Sequence, residues 1–463
     1  MKEVEQVMKK QLAIGLAALL AAASLAGCGS SSGSGTAATA AKTEGETAAE
    51  ASDSATSETS APTSGQDSTD KSDVTLTVAI WDKGQQPGLQ KIMDDFTAKT
   101  GIKTDIQITP YKDYWTMLEA AATGGNLPDV FWMHTFQVAT YAQYDDLLMN
   151  LSDRIANDPE VDMSKYPEDF VKAFQNPDGD QIGIPKDRDT AAVWYNKDMF
   201  DEAGIPYPTA DWTWDDFRED CKKLTKADGS QYGLAMKPGS DQEGWYGTIY
   251  AYGGYVISDD MKKSGFDDPN TLKGLNVIQG IIDDGSMPPY TQQADNDPLA
   301  LQEAGTVAMT FQGSWAASEL SVNDYLKEHI AIAPLPKGPE GAVTMSNSLA
   351  WSGSAQSGHQ DEAWELIKYL TGEEAQKKQA ELGVTLSAYD GASDAWAKSQ
   401  PGFDLQPYLD AMDNAVLYPR SKNTNVWYTM MKEKLVSVWD GSARMDDTAK
   451  DIAKEMNADL AEE

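Results

Sequence analysis

The sequence predicts an α/β fold in which mostly parallel sheets are flanked by helices. Strand and helix patterns alternate from residue 74 to residue 134 in the order β-α-β-α-β. Consecutive strands separated by helices pair in parallel within one sheet. A second series of strand and helix patterns begins near residue 191. The roughly 390 residues beyond residue 73 are enough for two lobes of ordinary domain size.

The first series is defined by its apolar patterns. Val74–Ile80 alternates and is rich in β-branched residues, which predicts a strand. Pro87 opens a helix pattern with apolar residues on one face. Two further strands are predicted at Ile102–Thr109 and Pro128–His134, with a helix at Lys112–Gly125 between them. In such sheets ligands bind at the carboxyl ends of the strands, so the residues at those ends are candidates for a site.

The second series follows the same logic. Residues 191–200, "AAVWYNKDMF", read as a strand that runs into a helix, and Thr213 is predicted to cap the next helix. Gly305–Trp315 and Ile330–Pro336 are predicted strands. From Asp361 onward the apolar spacing is helical. The second lobe is therefore also expected to combine strands and helices.

The N-terminal residues predict export and anchoring. Two lysines precede the apolar run Leu12–Leu25, which is too short for a good membrane span, so residues 1–27 are predicted to be a secretory signal peptide. The end of this run, "LAGC", resembles the lipobox of bacterial lipoproteins, which implies acylation of Cys28. The Ser/Thr/Ala/Gly-rich segment that completes residues 28–73 is predicted to be a disordered tether.

The composition argues against several classes of function. The formal net charge of −36 disfavours nucleic acid as a partner, because phosphate binding requires clustered Lys and Arg. The three histidines stand at no metal-ligand spacing, and no phosphate-binding or dinucleotide-binding motif is present. Neither a metal nor a cofactor is therefore expected. Cys221 lies on the apolar stripe of a helix and is predicted to be buried.

Several segments together resemble one protein family. They are "TGGNLPDVFWMH", "GIPKDRDTAAVWYNKDMFDEAGI" and "AGTVAMTFQGSWAASEL". The chain resembles the extracellular solute-binding proteins of bacterial ABC importers, in the carbohydrate-binding group that includes maltose-binding protein. The resemblance covers residues 74 to 463. It implies a two-lobed periplasmic-binding-protein-like fold, with the ligand held between the lobes.

The resemblance also implies lobe boundaries. Crossings between the lobes are expected near Asp187–Ala191, Phe311–Ser314 and Ser357–Asp361. Lobe one would then comprise residues 74–188 and 314–357, and lobe two residues 189–313 and 358–463. The lobes are expected to close around the ligand.

The implied function is capture of a mono- or oligosaccharide and its delivery to the transmembrane permease of an ABC importer. The protein would be a monomer, held by a lipid on Cys28 at the outer face of the cell membrane, and would catalyse no reaction. Two alternatives remain open at this point: a receptor for a non-sugar solute such as a polyamine, and a surface glycoside hydrolase.

The candidate ligand-binding residues lie at strand ends and crossings. A sugar presents hydroxyls at its edge and C–H groups on its faces, so carboxylates and aromatic rings are sought. Trp81 is expected to stack on the sugar, Asp82 to accept its hydroxyls, and His134 to contact it. Asp187 and Asp189 on the first crossing are expected to bind hydroxyls, or instead to form a hinge salt bridge with Arg188.

Further ligand contacts are expected at the second crossing, beyond it, and in the second lobe. Trp315 is the strongest candidate for an aromatic platform, and Trp351 is a further one. Trp245 and Tyr246 are expected to face the cleft, with burial in a helix core as the alternative. Arg420 is expected to reach the cleft from the C-terminal part, with a surface salt bridge as the alternative.

Overall fold

The computed structural model describes residues 73–144 and 146–463. The predicted signal peptide, Cys28 and the tether lie outside the described residues, except for Asp73 at the end of the tether. The strands are β1 Thr75–Ile80, β2 Lys103–Ile108, β3 Val130–His134, β4 Ile184–Pro185, β5 Ala191–Asn196, β6 Tyr232–Ala235, β7 Val307–Gly313, β8 Ile330–Ala333, β9 Thr344–Ser346, β10 Leu349–Gly353 and β11 Ala415–Leu417.

The helices cover both faces of the sheets. In chain order they are α1 Gln86–Thr100, α2 Tyr111–Gly124, α3 Thr135–Tyr141, α4 Ser152–Asn157, α5 Glu168–Ala173, α6 Lys197–Ala203, α7 Trp214–Leu224, α8 Tyr246–Ala251, α9 Pro269–Asp283, α10 Tyr290–Asp295, α11 Pro298–Glu303, α12 Glu319–Val322, α13 Asp324–His329, α14 Gln360–Thr371, α15 Glu373–Glu381, α16 Gln406–Asp410, α17 Thr424–Trp439 and α18 Met445–Ala461. Short 3₁₀ turns include Ser314–Ser318, and Asp241–Trp245 forms a π-helical turn before α8.

The first lobe is built on a five-stranded sheet in the order β2-β1-β3-β10-β4. Strand β1 pairs in parallel with β2 and β3, whereas β10 is antiparallel to β3 and β4. The apolar face of α1 packs on this sheet through Leu89, Ile92, Met93 and Phe96. The sequence therefore predicted the parallel half of the sheet, and the antiparallel half is added by a strand that returns from the other lobe.

The second lobe is built on a four-stranded sheet in the order β6-β7-β5-β8. Strands β6 and β7 are parallel, and β5 is antiparallel to β7 and β8. Its core includes Phe217, Cys221, Trp245, Met309 and Trp427. Thr213 caps α7 in a reciprocal capping box with Asp216, as the local sequence predicts.

The chain crosses between the lobes at positions that partly differ from those expected. It passes from β4 to β5 between Pro185 and Ala191, the segment expected to form the first crossing. The second crossing is not at Phe311–Ser314, because β8 still pairs with β5 of the second lobe. The chain returns to the first sheet only between β9 and β10, at Asn347–Ser348.

The third crossing is corrected in the same way. Trp364 and Ile367 of α14 lie in the core of the first lobe, and so does Ala388. From Trp396 onward the chain packs with residues of the second lobe. Residues 314–346 therefore belong to the second lobe and residues 358–388 largely to the first, the reverse of the expected assignment. Hydrogen-bonded strand pairing decides this, and it depends on contacts distant in sequence.

Candidate functional site

A cavity of about 570 Å³ lies between the lobes at the carboxyl ends of β1 and β3. The first lobe contributes the segment after β1, and the first crossing contributes two aspartates. The second lobe contributes the π-helical turn, the 3₁₀ turn after β7 and two tyrosines. Its lining includes Trp81, Asp82, Lys83, Gln85, Tyr111, His134, Phe136, Asp187, Asp189, Asp241, Gln242, Glu243, Trp315, Glu319, Tyr418 and Tyr428.

Trp81 anchors an aromatic wall on the first-lobe side. Its ring makes edge-to-face contacts with Tyr114 and Trp132, with ring centroids 4.9 Å apart in both cases. The Tyr111 ring lies 5.4 Å away and also lines the cavity. Trp81 therefore packs on the sheet core and presents part of its ring to the cleft. Such packing fixes the orientation of the ring before any ligand arrives.

Asp82 and His134 shape the first-lobe rim. The Asp82 carboxylate accepts the backbone N–H of Gly84 at 2.7 Å and the side-chain amide of Gln85 at 2.9 Å, so it holds the turn that leads into α1. His134 caps α3, and its Nδ1 accepts the N–H of Phe136 at 3.0 Å. Burial lowers the pKa of His134 to about 4, so its imidazole is neutral at physiological pH.

Asp187 is committed to the hinge. It forms an ion pair with Lys186, and its Oδ1 accepts the N–H of Leu349 at 2.7 Å. Lys186 is fully buried, with its Nζ 4.5 Å from the centroid of the Trp132 ring. Asp187 therefore forms a salt bridge at the hinge, but its partner is Lys186 and not Arg188, which corrects the expected pairing. Arg188 turns toward Met412 on another face.

Asp189 connects three segments of the cleft. Its Oδ1 accepts the N–H of Asn347 at 2.6 Å, which joins the first crossing to the second. The side-chain amide of Gln242 donates to both carboxylate oxygens at 3.0 Å. Burial raises the pKa of Asp189 well above its usual range, and the charge of Asp187 adds to this effect.

The second-lobe wall carries two acidic residues that the sequence interpretation did not select. Asp241 is 1% exposed and accepts hydrogen bonds from the hydroxyls of Tyr418 and Tyr428, the latter at 3.0 Å. Burial raises the pKa of Asp241 to about 6. Burial, together with the charge of Asp241, raises the pKa of the Glu243 carboxyl to about 8. Both residues stand in the segment "SDQEGWYGTIY", in which the sequence favours the aromatic residues as ligand contacts.

Trp245 and Tyr246 do not line the cleft, which corrects the expectation. Both are fully buried in the second-lobe core. The Trp245 indole N–H donates to the carbonyl of Pro238 at 3.1 Å, and the two rings contact each other edge to face. The π-helical turn directs Asp241, Gln242 and Glu243 to the cavity, and the helix that follows directs the aromatic pair into the core.

Trp351 and Arg420 also lie away from the cleft. Trp351 is fully buried in β10, with its ring 5.9 Å from that of Trp132. Arg420 does not line the cavity, and burial lowers the pKa of its guanidinium. Seven of the 13 tryptophans are fully buried within the described part of the chain. Their abundance therefore reflects core packing more than ligand binding.

Trp315 lines the cavity, and its ring occupies the space that a side chain on Gly313 would need. A Cβ on Gly313 would lie 2.1 Å from two atoms of the Trp315 ring and 2.3 Å from a third. Real Cβ contacts are not that short, so the absence of a side chain on Gly313 allows the ring to lie against the end of β7. The backbone thus sets the position of this aromatic surface.

The two lobes touch beside the cavity. The side-chain amides of Gln137 and Asn425 exchange hydrogen bonds of 2.8 and 3.3 Å. The ring centroids of Phe136 and Tyr428 are 5.0 Å apart. Residues of α3 in the first lobe therefore contact α17 in the second lobe on one side of the cleft.

The described residues show neither a cluster of metal ligands nor a membrane-spanning helix. Within residues 73–144 and 146–463, no group of three or more His, Cys, Asp or Glu side chains is arranged to hold a metal ion. None of the helices in this part of the chain combines the length and apolar character needed to cross a membrane.

Comparison with known families and proteins places this geometry in context. Residues 82–377 match the family of bacterial extracellular solute-binding proteins. The multiple sugar-binding protein of Streptococcus mutans is 25% identical over 363 residues, which cover 73% of this chain and 80% of that protein. The galactooligosaccharide-binding protein of Bacillus subtilis is 27% identical over 321 residues, covering 66% of this chain and 70% of that protein.

Solved structures confirm the two-lobed α/β fold. An ABC substrate-binding protein from Listeria monocytogenes in complex with cycloalternan superposes with a TM-score of 0.76 at 22% identity, covering 84% of this chain and 99% of that one. The GacH receptor of Streptomyces glaucescens, solved unliganded and with acarbose, gives a TM-score of 0.73 at 20% identity, covering 84% and 98%. At these identities the similarity establishes the fold.

Proposed function

The chain belongs to the family of bacterial extracellular solute-binding proteins, and from that premise we propose that it captures a mono- or oligosaccharide between its lobes and delivers it to the permease of an ABC importer. Members of this family bind solutes and are not enzymes. The observation that carries the proposal is the cleft itself. Trp81, Tyr111 and Trp315 offer ring surfaces, and carboxylates and amides from both lobes lie beside them.

This arrangement suits a sugar for a physical reason. The C–H faces of a pyranose pack on aromatic rings, and its hydroxyls need acceptors and donors at fixed positions. Asp189 and Gln242 can offer both within one hydrogen-bonded pair. A ligand that touches both lobes stabilises the closed form, because only that form makes both sets of contacts. The names of several relatives are consistent with a sugar ligand.

We further propose that the mature protein begins at an acylated Cys28 and is held as a monomer at the outer face of the cell membrane. The support is the sequence "LAGC" after an apolar run, followed by a Ser/Thr/Ala/Gly-rich tether. An extracytoplasmic location agrees with the family. A lipid anchor would keep the receptor near its permease.

The test is a titration of the purified chain with mono-, di- and oligosaccharides and polyamines. Tryptophan fluorescence reports binding, since Trp81 and Trp315 line the cleft. Product analysis in the same samples reports turnover. Saturable binding of a sugar that is recovered unaltered supports the proposal. A response to polyamines alone would reject the sugar assignment, and release of shorter sugars would reject the receptor role.

A further inference from the structure

The cleft is lined by many more acidic than basic side chains. Six acidic residues line it, and within the described part of the chain the only lysine or arginine in its lining is Lys83. Asp187 is neutralised by Lys186, which leaves five acidic side chains and one lysine in the lining. The other five are Asp82, Asp189, Asp241, Glu243 and Glu319.

We call three of these acidic residues, Asp189, Asp241 and Glu243, the acidic wall. Among the described residues none of the three forms an ion pair within 4 Å, and the hydrogen bonds of the two aspartates come from neutral donors. The nearby lysines contact other groups. Lys432 lies over the ring of Tyr428, 4.0 Å from its centroid, and Lys237 pairs with Asp297 at 3.7 Å.

Removing carboxylates from water without a cation is costly, and the cost is met by protonation or by a positive ligand group. Burial raises the pKa of Asp241 to about 6 and that of Glu243 to about 8, with Asp297 adding to the effect on Glu243 and Lys237 opposing it. Lys432 opposes the effect on Asp241. A cation entering the cleft would favour the ionised forms of both groups.

The rings beside the acidic wall suit a cation as well. Tyr418 and Phe136 line the same part of the cavity beside Tyr428, whose ring already carries the Lys432 ammonium. An ammonium group is attracted to the face of an aromatic ring, and the attraction grows when water is excluded. Carboxylates and rings thus converge from the first crossing and from the second lobe.

We propose that the saccharide bound in this cleft carries a positively charged amine, as amino sugars do, and that this amine binds at the acidic wall. The inference rests on the proposed function, because it specifies the chemical class of the sugar. The amine would form charge-assisted hydrogen bonds with the carboxylates, and the uncharged part of the sugar would extend toward Trp81 and Trp315.

The test compares sugars that differ only in charge. The full chain is titrated at pH 7 by isothermal calorimetry with glucosamine and its di- and trisaccharide, and with the N-acetylated form of each as a neutral counterpart. Glucose oligosaccharides and spermidine complete the panel. We expect at least one aminated sugar to bind about tenfold more tightly than its N-acetylated form, a preference that weakens in 0.5 M salt. Binding should also release protons, seen as a dependence of the heat on the buffer.

Two variants of the acidic wall, Glu243→Gln and Asp241→Asn, and one control, Glu433→Gln, assign the effect. Glu243→Gln should lower the ratio of the affinity for the aminated sugar to the affinity for its N-acetylated counterpart by about tenfold. Glu433→Gln, an equal change of charge at an exposed position of α17 outside the cavity, should leave the preference intact. Asp241→Asn tests the acidic wall independently of any change that Glu243→Gln makes in the π-helical turn.

The outcomes separate this inference from the proposed function. Neutral sugars that bind as well as or better than aminated ones would overturn the inference and leave the sugar-receptor function in place. An amine preference that survives both Glu243→Gln and Asp241→Asn would also overturn it. Binding of spermidine alone, or of nothing in the panel, would overturn the inference together with the sugar assignment.

Discussion

Gly313→Ala should displace the Trp315 ring without replacing any side chain that lines the cleft. The new Cβ would stand 2.1 Å from the ring, whereas ordinary contacts begin near 3.4 Å, so the ring must move by about 1.3 Å. A gap of 0.5–1 Å already forfeits about a quarter to a half of a dispersion contact. If the ring contributes roughly 1–2 kcal/mol to sugar binding, a loss of half of it is about 0.5–1 kcal/mol, and Kd rises about two- to fivefold.

The assay is a fluorescence titration of wild type and variant with the best ligand of the panel, accompanied by thermal unfolding. Gly358→Ala is the matched control, because a Cβ there meets nothing within 4 Å. A double-mutant cycle with Trp315→Ala tests the route of the effect. If Gly313 acts through Trp315, Gly313→Ala should change the Kd little when Trp315→Ala is already present. An unchanged Kd for Gly313→Ala, or full additivity in the cycle, would refute the reasoning.

Three other perturbations give distinct readouts. Gln137→Ala removes the two side-chain hydrogen bonds with Asn425 between the lobes, each worth about 1 kcal/mol. The unliganded protein should therefore open, and its radius of gyration in X-ray scattering should increase. An unchanged radius would show that this contact does not hold the lobes together. The pKa of Asp241 is raised to about 6, so the native state binds this proton more tightly than the unfolded state does. The free energy of unfolding should therefore fall by on the order of 2–3 kcal/mol as pH rises from about 4 through 6. Urea unfolding of Asp241→Asn should lack this part of the pH dependence; identical profiles would contradict the assignment. Cys28→Ala should move the protein from the membrane fraction to the medium, and persistent membrane association would reject the lipid anchor.

Local sequence patterns predicted the first half of the first lobe closely. The alternation of β1, the apolar face of α1 and the buried run of β3 are each set by neighbours in the chain. The carboxyl ends of these strands then place Trp81, Asp82 and His134 at one edge of the sheet, and all three line the cavity. The first crossing supplied Asp187 and Asp189 in the same way.

The second-lobe side of the cleft was predicted less well. In "DQEGWY" three polar residues and a glycine precede two aromatic residues, so the segment is too short to show a period. The π-helical turn then changes the angle at which each side chain leaves the backbone. The sequence favoured Trp245 and Tyr246, whereas Asp241, Gln242 and Glu243 are the ones that line the cavity. Tyr428 stands far along the chain on α17 and reaches the cleft where α17 packs beside α3. Tyr418 is equally distant in sequence and directly follows β11.

The sequence by itself determined the fold class, the family and the strand ends that border the cleft. Those properties follow from short-range backbone preferences and from motifs contiguous in the chain. The tertiary structure decided where the chain returns between lobes, because β8 joins β5 and β10 joins β3 across more than a hundred residues. It also decided which aromatic and acidic side chains meet the cavity. Burial of a side chain is a property of the packed neighbours around it, and those neighbours are distant in sequence.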